Sequence, residues 1–226
     1  MEQSLAQQKA LELKIDRTQV VREYWELILL KALYDSPFGR NLIFKGGTAL
    51  RLAYGSPRFS EDLDFSLTKD VLRDKFSAFA QKLVAPYPEL SVTDLESKRS
   101  TYLVEIKVAS NYLPFPFRIK VEISKRETEH YEWELKLLGS PVSIVQILGQ
   151  VATLKQLYQD KMSCLKGRGK PKDFFDLWYI SEKLKVPYVP KKISSKREFV
   201  RDLRKYLPKD FWPVIEDLSR LGELNF

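Results

Sequence analysis

The apolar positions change their period several times along the chain, and each change marks an element. Val20, Val21, Trp25, Ile28, Leu29 and Leu33 recur near the helical spacing, so Gln7–Ser36 is expected to be helical. Asp16 is placed to cap an N-terminal end there, with Gln19 three residues behind it. Leu42–Lys45 is short and apolar, as a strand would be. Gly46-Gly47 interrupts it, and Thr48–Tyr54 fits a short helix before the turn Gly55-Ser56-Pro57. Asp62–Leu67 alternates polar and apolar residues. Thr68 is positioned to cap a helix from Lys69 to about Val84, stopped by Pro86 and Pro88.

Two period-two segments follow. Tyr102, Val104, Ile106 and Val108 share one face of a strand. In Phe117–Ser124 the residues Phe117, Ile119, Val121 and Ile123 face one way, while Arg118, Lys120, Glu122 and Ser124 face the other. Together with Asp62–Leu67 these predict a mixed sheet with one face packed on helices and polar groups on the other. Past Pro141 the pattern turns helical: Val142–Gly167, Lys172–Leu184, Ser194–Tyr206 and Phe211–Leu221, with Pro187, Pro190 and Pro208 in the gaps. The expected class is α+β, with an α/β part over residues 1–140 and a helical part over residues 141–226.

Composition removes several kinds of chemistry. A chain of 226 residues that is 44% hydrophobic and 12% aromatic can build a real core. One cysteine, Cys164, rules out an internal disulfide and a cysteine metal cage. One histidine, His130, argues against zinc chemistry and against a Ser-His-Asp centre. No apolar run reaches the roughly 20 residues of a membrane helix. Met1–Ala10 is polar without a hydrophobic centre, so the expected location is the cytoplasm. The 38 basic against 30 acidic residues give a net charge of +8, a mild bias towards polyanionic partners such as nucleotides or nucleic acid.

Against that basic background one acidic cluster stands out, in FKGGTALRLAYGSPRFSEDLDFSL, Phe44–Leu67. Asp62 and Asp64 are two apart, so on a strand they share a face roughly 6.5–7 Å apart and can converge on hard cations. Glu122 lies on the polar face of another predicted strand and joins them if the two strands are neighbours. Alone, a D-x-D pair also fits a solvated strand, and Glu122 could simply pair with Lys120. Gly46-Gly47-Thr48 sits between a strand and a helix, where free N–H groups attract phosphate. It is neither a Walker loop nor a dinucleotide fingerprint, and on the glycines alone a plain tight turn is the better reading.

The combination is more specific than its parts. GGTALRLAYGSPRFSEDLDF resembles the nucleotidyltransferase family of AbiEii toxins, relatives of the polymerase-beta-like superfamily, whose R-x-S-x-D-x-D phrase stands here as Arg58, Ser60, Asp62 and Asp64. DKMSCLKGRGKPKDFFDLWYI, Asp160–Ile180, resembles the family's second motif, a lysine followed by an arginine-bearing segment that closes on D-x-x-D-L. Lys161 matches the lysine; Arg168, Asp173, Asp176 and Leu177 match the rest. Lys172 stands where the family has arginine, which keeps the charge and loses the bidentate fork. On residues alone, Asp173 could as well cap a helix and the basic turn could be a solvated loop.

The resemblance spans about residues 40–182 and implies a set of roles. The fold would be a nucleotidyltransferase sheet with flanking helices plus a helical bundle. Asp62, Asp64 and Glu122 would hold Mg²⁺ on an NTP, and Gly46, Gly47, Thr48, Arg58, Ser60 and Arg168 would bind the nucleotide. Lys161 would neutralise the leaving group, with Asp173 orienting it or touching the nucleotide. The expected reaction moves a nucleoside monophosphate to an acceptor hydroxyl, with the 3′ end of tRNA as the implied acceptor and a cognate antitoxin as partner. The basic turn Lys166–Lys172 and the tail residues Lys191, Lys192, Lys196, Arg197, Arg201, Arg204 and Lys205 would carry the RNA backbone. Alternatives are a protein or small-molecule acceptor, and a catalytically dead RNA-binding form. A two-metal nuclease would have no use for the glycine turn.

Overall fold

The protein is described by a computed structural model that covers residues 1–224 apart from Glu127, Arg168 and Lys191. In chain order the helices are α1 Gln3–Glu12, α2 Arg17–Asp35, α3 Gly46–Tyr54, α4 Phe76–Val84, α5 Leu154–Gly167, α6 Pro171–Leu184, α7 Lys196–Arg204 and α8 Trp212–Leu224. The strands are β1 Leu42–Lys45, β2 Asp62–Leu67, β3 Leu90–Ser97, β4 Thr101–Val108, β5 Phe117–Ser124, β6 Trp133–Ser140 and β7 Ser143–Ala152. They form one mixed sheet in the order β3-β4-β5-β2-β1-β7-β6. The β2/β5 and β1/β7 pairs are parallel and the rest antiparallel.

The short strand β1 sits between two cores. Successive strand residues point to opposite faces, and here Phe44 joins the cluster of α1, α2, α4 and the sheet, while Ile43 joins the cluster of α5 to α8. Helix α2 anchors the first core with Val20, Val21, Trp25, Leu27, Leu29, Leu30 and Leu33. At about 1.5–3 kcal/mol per buried side chain, these outweigh the polar residues the same helix buries, Gln19, Arg22, Glu23 and Glu26. Two of those polar residues are also well partnered: Glu23 binds Arg51 and Ser140, and Arg22 donates to the Arg118 carbonyl and lies over the Phe117 ring.

The mixed sheet and most helices lie where the pattern predicts them, with the following corrections. Gln7–Ser36 is two helices, broken where Lys14 takes φ 52°; Asp16 caps the second by accepting from the Thr18 N–H at 2.7 Å. The helix expected from Lys69 starts only at Phe76. Ahead of it Leu72 is buried, and Asp70 is held off-axis by the Tyr102 hydroxyl at 2.9 Å. Residues 143–152 are strand β7, not helix. Val145, Ile147 and Val151 alternate inward as a strand requires, but Ile144 and Leu148 on the opposite face are exposed and blur the period. Strands β3 and β6, at the two sheet edges, were not anticipated. The helix expected from Ser194 starts at Lys196, capped by Ser195, which accepts from the Glu198 N–H.

Candidate active site

The register of three strands builds the site. Parallel pairing sets Asp62 opposite Lys120 and Asp64 opposite Glu122. On the other side β1 runs antiparallel and sets Lys45 opposite Asp64. Neighbouring strands are about 4.8 Å apart, so Asp62, Asp64 and Glu122 open onto one cleft of about 530 Å³. Lys45, Lys120, Lys161, Lys170 and Lys172 line the same cleft. The condition on Glu122, that its strand neighbour β2, is met by this register.

Carboxylates gathered in a half-buried place resist being charged together. Burial, then Asp62 and Glu122, push Asp64 up to about 6, with Lys120 and Lys161 pulling it back. Glu122 binds Lys120 at 3.0 Å, and Lys172 Nζ lies 4.0 Å from Asp62 Oδ2. The outer two acids therefore lean on lysines. Among the described residues no three acid, histidine or cysteine side chains close on one point as they stand. The donor set is nonetheless all oxygen, which suits a hard divalent cation such as Mg²⁺, and the lysines are the groups it would displace.

The glycines are required by close approach. Gly46 has φ +80°, and a Cβ there would stand 2.5 Å from Asp64 Oδ2. A Cβ on Gly47 would stand 2.1 Å from Arg58 Nη2 and 2.9 Å from Ser60 Oγ. Helix α3 starts at these glycines and has no side-chain cap, so its first N–H groups are left for a ligand. Thr48 makes an internal contact. It is fully buried and its Oγ1 donates to the Asp62 carbonyl at 2.6 Å, which pins the start of β2.

Arg58 lines the cleft and is tied down within the protein. It is 2% exposed, and its Nε and Nη2 donate to Asp176 at 2.6 and 2.7 Å while Nη1 donates to the Phe59 carbonyl. Its contacts make it a tie between the β2 approach and α6. Lys161 on α5 joins the same knot, 2.9 Å from Asp173 Oδ1 and 2.6 Å from Asp176 Oδ2. Burial alone would raise Asp176, but Arg58 and Lys161 overcome it and hold the carboxyl at about 2. Burial would lower Lys161, yet Asp176 and Asp173 keep it above its ordinary value. Lys172 has no such compensation: burial brings it down and Asp62 only partly restores it.

The remaining expectations divide. Ser60 is buried behind Gly47 and lines the cleft. Glu61 turns away and accepts from the Tyr206 hydroxyl at 2.7 Å. Arg168 and Lys191 lie outside the described residues. In the basic tail Arg201 and Lys205 pair with Asp202, and Arg204 pairs with Glu216 at 3.0 Å, so much of that charge is locally balanced. A larger groove of about 740 Å³ lies between α1 and the C-terminal helices, but it gathers no facing carboxylates. No helix among the described residues is long and apolar enough to cross a membrane.

The profile of the family described as nucleotidyl transferase AbiEii toxin, type IV toxin–antitoxin system, matches residues 28–223. The chain belongs to this family. The enzyme is thus a nucleotidyltransferase, and the earlier resemblance extends over nearly the whole chain. Two solved structures share its fold. MenT4, a nucleotidyltransferase toxin of Mycobacterium tuberculosis, is 15% identical with a TM-score of 0.63, covering 100% of this chain and 91% of its own. JHP933 of Helicobacter pylori is 18% identical with a TM-score of 0.52, covering 92% and 94%. None of the curated proteins matches the enzyme.

Sequence reasoning undervalued Asp176. The signal was present: Asp173, Asp176, Leu177 and Ile180 fall at helical spacing on the face of α6 that enters the core, and all are buried. Acids in an apolar stripe need buried cations as partners. Asp160, Lys45 and Lys120 were also passed over as cleft residues. Only the sheet register and the docking of α5 bring them there.

Proposed function

We propose that the enzyme transfers a nucleoside monophosphate from a Mg²⁺-bound NTP to the 3′ hydroxyl of an RNA, tRNA in particular, releasing pyrophosphate. The observation that carries this reading is the contact between the two halves of the motif. The Gly46 backbone lies against the Asp64 carboxylate, so a triphosphate seated on the α3 N–H groups would lie beside Asp62, Asp64 and Glu122. A nuclease would need the acids without that seat.

The roles follow from the contacts. The α3 N–H groups, Gly46, Gly47 and Ser60 would receive the phosphates, with Arg168 of the basic turn as a further contact. Held by Asp62, Asp64 and Glu122, the ion would supply positive charge to the phosphates and acidify the attacking hydroxyl. Alternatively, Glu122 would act as the base that takes the hydroxyl's proton. Lys161, fixed by Asp173 and Asp176, and Lys172 would balance charge on the departing pyrophosphate. Arg58 and Thr48 hold the acids in place rather than touch substrate. The part to about residue 140 would supply the acids, and the part after it, which opens with strand β7 of the same sheet and continues as helices, would supply Lys161 and Asp173. A cognate antitoxin would restrain the activity, as the type IV family implies.

The test uses RNA with an intact or a periodate-oxidised 3′ end, incubated with Mg²⁺ and each NTP labelled in its α-phosphate. Label in intact RNA alone supports the reading. Equal label in oxidised RNA, or label only on protein, sinks the 3′-end acceptor.

A further inference from the structure

A bound nucleotide needs a seat for its base about one nucleoside from the reacting phosphate. Ser66 is the next residue after Asp64 on the same face of β2, roughly 6.5–7 Å further along. Tyr131 stands beside Ser66 there, and its hydroxyl donates to Asp160 Oδ2 at 2.5 Å. Gln156 Nε2 donates to Asp160 Oδ1 at 3.1 Å, and Gln156 Oε1 in turn accepts from the Glu132 N–H at 3.3 Å. Asp160 is therefore oriented from behind by two donors. Leu157, Asp160, Lys161 and Cys164 fall at helical spacing on α5 and line the cleft, so this face of the helix looks into it.

The chemistry of that wall is one-sided. A carboxylate offers about four lone-pair sites and no donor, and here each oxygen has one protein partner. What Asp160 presents to the cleft is acceptor capacity alone. The nearby cations point elsewhere: Lys161 is engaged by Asp173 and Asp176, and Lys45 lies over the Tyr131 ring, 5.7 Å from its centroid.

Resting on the nucleotidyltransferase reading above, we propose that Asp160 is a specificity-determining residue that accepts a hydrogen bond from an exocyclic amine of the incoming nucleobase. Bases that place an oxo group there meet a carboxylate's lone pairs and are disfavoured. Cytosine is accordingly taken over uracil, and adenine over hypoxanthine. Each pair exchanges an amine for an oxo group, and the adjacent bare ring nitrogen for an N–H, at nearly constant shape; a carboxylate facing the exocyclic position meets the first of these changes.

The test is equilibrium binding of CTP, UTP, ATP and ITP with Mg²⁺ and no acceptor, to the wild-type chain and to Asp160→Asn. In whichever pair binds more tightly, the amine-bearing member is expected to win by roughly tenfold or more, the scale of one good amine–carboxylate contact. Asparagine can turn its amide NH₂ towards the oxo group, so the variant should bring the two members within about threefold. Equal binding within both pairs overturns the proposal. So does a preference unchanged in Asp160→Asn, even if the variant melts earlier, since that is the behaviour of a purely structural latch. If neither these four nor GTP binds the wild-type chain, the substrate reading itself fails, a result distinct from a missing preference.

Discussion

Replacing Asp176 by alanine should cost the fold more than removing any exposed acid. The substitution deletes the shared partner of two buried cations: Arg58 is 2% exposed and Lys161 is 8% exposed. Breaking a buried pair from one side costs about 3–5 kcal/mol, because an uncompensated charge stays behind. A domain has only about 5–15 kcal/mol in total. Asp173 still holds Lys161 at 2.9 Å, which places the expected loss near the lower end of that range. At about 2–4 °C per kcal/mol for a chain of this size, a loss of about 3 kcal/mol should lower the melting temperature by roughly 6–12 °C. The assay is urea unfolding, with the midpoint shifted and the slope unchanged. Asp202→Ala, which removes an exposed pair with Arg201, is the control and should cost no more than about 1 kcal/mol. The pH profile gives a second readout. Asp176 is held at about 2, below the ordinary 3.8, so its contribution is present above about pH 4 and is lost as pH falls towards 2, amounting to about 2 kcal/mol. An Asp176→Ala protein within 1 kcal/mol of wild type, as in the surface control, would refute the reasoning.

Three further predictions concern the cleft. Gly46→Ala should lower kcat/KM by more than about tenfold, because the new methyl meets Asp64 Oδ2 and the backbone sits at φ +80°; steady-state kinetics on a folded variant check it. Thr48→Val should destabilise the fold by about 1–3 kcal/mol by leaving the Asp62 carbonyl without its donor, while KM for NTP stays within about twofold. A large rise in KM would show that the hydroxyl touches phosphate after all. Asp64 is raised from 3.8 to about 6, so without metal its ionisation weighs against the fold. Stability should fall by up to about 3 kcal/mol as pH rises from roughly 4 to 6 and stay flat beyond. Millimolar Mg²⁺ or Asp64→Asn should remove that decline; an identical decline in Asp64→Asn would assign it to another group.

Local chemistry was the legible part. The period-two runs of β4 and β5 and the helical stripes of α2 and α6 depend only on which face of an element is buried, and the sequence displays that directly. The D-x-D pair and the double glycine are likewise short-range, and their contact in space depends on a single register, Lys45 opposite Asp64. Strand β7 was misread because both its faces carry apolar residues, with Ile144 and Leu148 exposed on the outer one. The edge strands β3 and β6 escaped because half-exposed strands carry little burial signal. The contacts of Arg58, Thr48 and Asp160 were hidden for another reason. Each depends on a partner far along the chain or on a backbone carbonyl, Asp176 for Arg58, the Asp62 carbonyl for Thr48 and Tyr131 for Asp160.

The central claim is that this cleft moves the α-phosphate of an NTP. The most direct measurement supplies one NTP labelled in the α-phosphate and, in parallel, the same NTP labelled in the γ-phosphate, with Mg²⁺ and RNA, to the wild-type chain and to Asp64→Asn. The account predicts α-label in RNA and γ-label in pyrophosphate, both absent with the variant. Gamma-label appearing in RNA or protein, or α-transfer persisting in Asp64→Asn, would contradict it.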